Sequence, residues 1–161
     1  MKSTLYPKLL VGYLLYGVIG FLIVATFTYH ITFQFVEKRD AASLYRESAQ
    51  ISSTYAEHYY SKTMSLEEIE TQLGALSSYL SGEIWIVDTR GRMIVNTAHP
   101  ALAESGEIID GFDVTDFGSN YYQTGTFYGY FTNDTLSVFS PITVNYKVRG
   151  YVIIHKPVSS L

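Results

Sequence analysis

The residues able to do chemistry are few, and their spacing is more informative than their number. Four histidines occur, His30, His58, His99 and His155, and no pair has zincin or zinc-finger spacing. Each is expected to be packed or solvated rather than a ligand. Cysteine is absent, which excludes disulfides, thiolate metal sites and thiol nucleophiles. No Gly-x-Ser-x-Gly elbow and no Gly-rich phosphate loop is present, so Ser, His and Asp carry no hydrolase signature.

Acids and aromatics give a more specific pattern. Between Met93 and Tyr146 there are six acids (Glu104, Glu107, Asp110, Asp113, Asp116 and Asp134) and no Lys or Arg. Clustered oxygen ligands suit hard divalent cations or a cationic peptide, and Asp110, Asp113 and Asp116 are the metal candidates. The EF-hand order of acids is missing, and a solvated acidic loop explains the same run. Tyr121, Tyr122, Tyr128 and Tyr130 follow it closely, and aromatic walls with a few polar groups are what small-molecule pockets use. Arg149 could pair with a ligand carboxylate. These five are the candidate ligand-binding residues, with ordinary core packing as the alternative.

The chain has 161 residues and a net charge of −4, with no Lys/Arg cluster, so nucleic acid is not an expected partner. No charged residue lies between Lys8 and Glu37. A helix crossing a hydrocarbon core needs about 20 apolar residues, which residues 9–31 provide. The apolar run is too long for a cleaved signal peptide, whose apolar region is about 7–15 residues. A membrane anchor is therefore expected, preceded by a tail over 1–8. Lys2 and Lys8 precede it while Lys38, Arg39 and Arg46 follow it, so charge counting does not orient it. The remaining 125 or so residues suffice for one domain.

That domain has to position the acids and aromatics. Residues 32–62 contain no Pro or Gly, which permits one long helix. Its apolar face carries Leu44, Ser48, Ile51, Tyr55 and His58, opposite Arg46, Gln50 and Ser53. Packing on its own domain or pairing with a second copy would both use such a face. Ser65 and Glu68 form a capping box opening a second helix, with Leu66, Ile69, Leu73, Leu76 and Leu80 at helical spacing. Ser81-Gly82 closes it. Strands are expected at Glu83–Asp88 and Arg92–Asn96 around Thr89-Arg90-Gly91. Three more are expected at Thr126–Phe131, Leu136–Thr143 and Gly150–Lys156, with turns at Asn133-Asp134 and from Asn145 to Gly150. The expected class is α+β, with helices covering a five-stranded antiparallel sheet.

Three stretches give this order a family likeness: Ile84-Trp85-Ile86-Val87-Asp88 with its Gly turn, Gly129-Tyr130-Phe131, and Ser140-Pro141-Ile142-Thr143 with Arg149 to His155. Together they resemble the extracytoplasmic PAS-like sensor domains, of Cache or PDC type, of bacterial HAMP-containing histidine kinases. The resemblance implies a ligand pocket between the sheet and the loop-rich insertion. It also implies a homodimer in the bacterial cell membrane, a C-terminal domain outside it, and signalling through the membrane helices. Residues 63–157 would be the sensor domain proper, and 158–161 the start of a second membrane segment. No kinase core or phosphoacceptor helix occurs here, so this chain is expected to catalyse nothing and needs no cofactor. A membrane-tethered interaction protein without a small-molecule ligand is the alternative.

Overall fold

The computed structural model describes residues 5–161, so the first half of the expected tail (1–8) lies outside the described residues. The chain divides into two compact units, 1–38 and 39–161.

In the first unit every described side chain up to Phe35 is exposed, including Leu14, Phe21 and Phe27. The helical run Tyr6–Tyr60 is the single one among the described residues long and apolar enough to cross a membrane. Uncovered apolar side chains on the uncharged stretch between Lys8 and Glu37 are what hydrocarbon, not water, accommodates.

In the second unit two layers flank a five-stranded sheet of order β2-β1-β5-β4-β3, antiparallel throughout. The strands are β1 (Glu83–Asp88), β2 (Met93–Asn96), β3 (Tyr122–Gly125), β4 (Thr135–Val144) and β5 (Lys147–Pro157). Helix α1 is Leu5–Ile51, α2 is Glu57–Tyr60, α3 is Leu66–Leu80 and α4 is Pro100–Glu104. Ala41, Leu44, Ser48 and Ile51 of α1 are buried, and with Ile69 and Leu73 of α3 they cover one sheet face. From Leu44 onward the apolar seam of the long helix is therefore occupied by its own sheet. Arg46, Gln50 and Ser53 remain exposed, and only that side is open to a second copy.

Between α1 and α2 the helix widens to π register over Ser52–Ala56. Such segments accommodate an extra residue without breaking the helix. Buried Ser52 donates its Oγ hydrogen to the Pro141 carbonyl of β4 at 2.7 Å. β3 pairs with β4 only from Thr135 to Val138, so Pro141 lies beyond it and its missing N–H breaks no pairing on that side.

The capping box is present. Ser65 Oγ accepts from Glu68 N–H at 3.3 Å, and Glu68 Oε2 accepts from Ser65 N–H at 3.0 Å. At the other end Ser81, rather than the glycine, takes the left-handed conformation with φ 52°. Gly82 is needed for a different reason, since a Cβ there would sit 2.7 Å from the His155 carbonyl.

Two expectations about the strands are corrected. Thr126–Phe131 is not a strand. Phe127, Tyr128 and Gly129 all have positive φ (42°, 52° and 81°), and Phe131 N–H closes back on the Thr126 carbonyl. The turn drives the Phe127 ring into the sheet, where it is 3% exposed, and that burial outweighs strand propensity. The third strand is instead Tyr122–Gly125, at the end of the stretch from Thr97 to about Gly125 whose sequence reads as irregular. The last turn is also shorter than Asn145 to Gly150. Asn145 and Tyr146, at φ 51° and 60°, form a tight hairpin, and pairing resumes at Lys147.

Gly150 lies where three elements meet. A Cβ there would overlap the Val87 carbonyl oxygen and come within 2.9 Å of the Tyr60 hydroxyl, which itself donates to the Arg149 carbonyl. Gly150→Ala is expected to cost about 3 kcal/mol or more, read from the denaturant midpoint, because backbone rather than a flexible side chain must give way.

Candidate functional site

The other sheet face carries the insertion. Alternation along the strands points Trp85 and Val87 of β1, Ile153 and His155 of β5, and Ser137 and Phe139 of β4 to this side. Phe117, Phe127, Tyr128, Tyr130 and Phe131 descend on them from the insertion. Trp85 is the hub. Phe127 and Tyr130 meet it edge-on at 5.6 and 5.3 Å, and Phe131 is tilted at 5.8 Å. Offset and edge-on rings gain beyond their buried area by matching the positive edge of one to the negative face of the other.

His155 lies inside this cluster. Its ring centroid is 4.4 Å from Trp85, 4.4 Å from Phe127 and 5.0 Å from Phe131, and the residue is 1% exposed. Nδ1 pairs with Ser137 Oγ at 2.8 Å, while buried Nε2 has no hydrogen-bond partner among the described residues. Burial pushes its pKa down to about 3, so the ring is neutral at physiological pH. Sequence reasoning expected a packed or solvated histidine, without picking this one out. The signal was available: Tyr151, Ile153 and His155 share one strand face, which turns His155 toward the aromatics.

The candidate residues are not gathered into one cluster. Tyr128 and Tyr130 belong to the aromatic face. The Tyr128 hydroxyl donates to Asp116 Oδ2 at 2.7 Å and accepts from Asp113 N–H at 3.1 Å. The Tyr130 hydroxyl donates to Glu107 Oε1 at 2.9 Å. Burial, reinforced by the Glu107 bond, raises the Tyr130 pKa to about 12. Tyr121 is half-exposed and makes tilted ring contacts with Tyr45 of α1 and Phe139. Tyr122 packs on the opposite, helix-covered face. Arg149 is exposed near the start of β5, where the β4–β5 register shifts.

The acids also have structural employment. Asp113 Oδ1 accepts from the N–H and hydroxyl of Thr115, capping the 3₁₀ segment Val114–Asn120, and these bonds lower its pKa. Asp116 and Glu107 hold tyrosine hydroxyls, and Asp110 is exposed. Among the described residues no three His, Cys, Asp or Glu side chains converge to hold a metal ion.

A cleft opens at the end of the aromatic face, where β1 and β5 run out beside the C-terminus of α3. It has a volume of about 360 Å³ and is lined by Ser77, Ser81, Glu83, Phe131, Thr135 and His155, among others. Glu83 stands opposite His155 in the β1–β5 register, and its Oε2 accepts from Trp85 Nε1 at 3.3 Å.

The chain matches no protein-family model and no curated protein. It is similar to solved structures. One is the sensor domain of the V. cholerae histidine kinase DctB, at 13% identity and TM-score 0.51, covering 84% of this chain and 57% of that one. Another is the extracellular domain of vpHK1S-Z8, at 13% identity and TM-score 0.49, covering 83% and 57%. The chain thus spans little more than half the length of either. The likeness to DctB establishes the fold: helices on one face of a five-stranded antiparallel sheet, as in a histidine-kinase sensor domain.

Proposed function

We propose that this chain is the signal-input portion of a bacterial sensor histidine kinase. Residues 9–31 anchor it in the cell membrane, residues 39–157 face outward, and two copies associate. Ligand binding on the aromatic face biases a two-state arrangement of the sheet, which α1 carries toward the membrane. One observation above all supports this reading. Strand β4 presents Phe139 to the aromatic face and, two residues on, offers the Pro141 carbonyl to Ser52 of the helical run. A shift of β4 on the ligand side therefore pulls on the helix side. A membrane-tethered interaction protein would need no such link.

A thermal-shift screen of the full chain in detergent, using amines, amino acids, organic acids, divalent cations and cationic peptides, tests the sensing role. One chemical class should raise Tm progressively with the logarithm of its concentration, reaching about 2.7 kcal/mol of stabilisation at a hundredfold excess over Kd. If every class left a cooperatively melting domain unmoved, direct sensing would be refuted.

A further inference from the structure

The cleft at the C-terminus of α3 has a consistent electrostatic character. Glu83 supplies the one acidic side chain among the residues lining it, and no Lys or Arg lines it. Helix α3 ends there with no basic residue in its last turn, so no side-chain charge offsets the partial negative end of its dipole, although the Ser77 and Ser78 carbonyls accept the Ser81 and Gly82 N–H groups. Phe131 lines the cleft with an aromatic ring, a group whose π system attracts cations. Lys156, next in sequence to His155, points the other way, toward Asp40 of α1 at 3.9 Å. Carboxylate, helix C-terminus and aromatic face each favour a positive charge, and each disfavours an anion.

The fourth feature is the orphaned imidazole nitrogen. A buried polar atom without a partner is costly, and it belongs to a residue that lines this cleft, so a ligand that reaches it relieves that cost. Nε2 can accept from an N–H donor when the ring proton sits on Nδ1 and is donated to Ser137 Oγ. We propose that this cleft binds a primary ammonium group, held between the Glu83 carboxylate and the Phe131 ring, with its N–H donated to His155 Nε2. The inference rests on the sensor reading and narrows its ligand to small organic amines. Quaternary ammonium compounds satisfy the charge but lack the N–H.

Butylamine, butanol and butyrate share a chain length and differ in charge, so calorimetric titration of each into the full chain is the direct test. Butylamine should bind, the other two should not, and Glu83→Gln should weaken butylamine by roughly tenfold or more. Gln keeps an acceptor for Trp85 Nε1, so the fold has reason to survive. Should the variant unfold, ¹⁵N NMR of the wild-type protein decides. Amine addition should shift the His155 resonances and fix the Nδ1–H tautomer. Butanol or butyrate binding as well as butylamine would overturn the proposal. So would a domain stabilised by an organic acid with butylamine inert, an outcome that leaves the sensor reading standing. Silence from all compounds in this titration and in the wider screen would remove both.

Discussion

Lowering the pH from 6.5 to about 5 should destabilise the folded domain by roughly 1–2 kcal/mol through His155 alone. The sign follows from where the proton goes. Burial depresses the folded pKa to about 3, while the unfolded chain titrates near 6.5. Between those values the unfolded state binds a proton that the folded state refuses, so stability falls as pH falls. The loss begins at the unfolded pKa and continues toward about pH 3 at about 1.4 kcal/mol per unit. The upper part of the window precedes most carboxylate titration, which isolates the histidine. His155→Asn, which can still pair with Ser137, should be less stable at neutral pH but flatter across this interval. Denaturation midpoints at several pH values provide the comparison. Parallel curves for the two proteins would show that His155 is not held neutral. The charged acid nearest in register is Glu83, already engaged by Trp85 Nε1. A dominant Glu83–imidazolium attraction would likewise flatten the wild-type curve.

Trp85→Ala should be the most damaging single substitution on the aromatic face, at about 3–5 kcal/mol. The indole is 1% exposed and meets the rings of Phe127, Tyr130, Phe131 and His155. Those partners come from a turn held by positive-φ residues and from a strand end. Neither can close a void without giving up its own packing, so the cavity term stays large. Domain stabilities of about 5–15 kcal/mol mean that this one change removes a large share. Trp85→Phe should recover part of it. Because Trp85 is the only tryptophan, wild-type fluorescence reports on this face, while circular dichroism follows the variants. A loss below about 1 kcal/mol would mean the cluster is not a packed core.

Much of this architecture was legible because local signals and tertiary packing agree. The capping box at Ser65 and Glu68 and the Gly91 hairpin form as their residues specify, and the charge-free residues 9–31 lie within one continuous helix. The third strand was misplaced because Phe127, Tyr128, Tyr130 and Phe131 have strand-like composition. What decides their conformation is the Trp85 surface they fold onto, about forty residues earlier in the chain and invisible to a local window. The candidate site was read in part for the same reason. Tyr128 and Tyr130 reach the aromatic face, whereas the β3–β4 register turns Tyr122 to the helix side. The pairing of His155 with Ser137 depends on the β4–β5 register, which a two-residue turn at Asn145-Tyr146 sets and a longer turn would have shifted.

The central claim is that the domain passes a signal through α1. The natural absence of cysteine makes that directly measurable. Ala42, Arg46, Gln50 and Ser53 form an exposed strip along the helical run. Single-cysteine variants at these positions, in the full chain reconstituted in lipid vesicles, can be oxidised with and without a ligand found by the screen. The account predicts disulfide-linked dimers whose yield peaks at helical spacing, and a change in which positions cross-link once ligand is added. Uniformly monomeric protein, or a cross-linking pattern identical with and without a bound ligand, would contradict it.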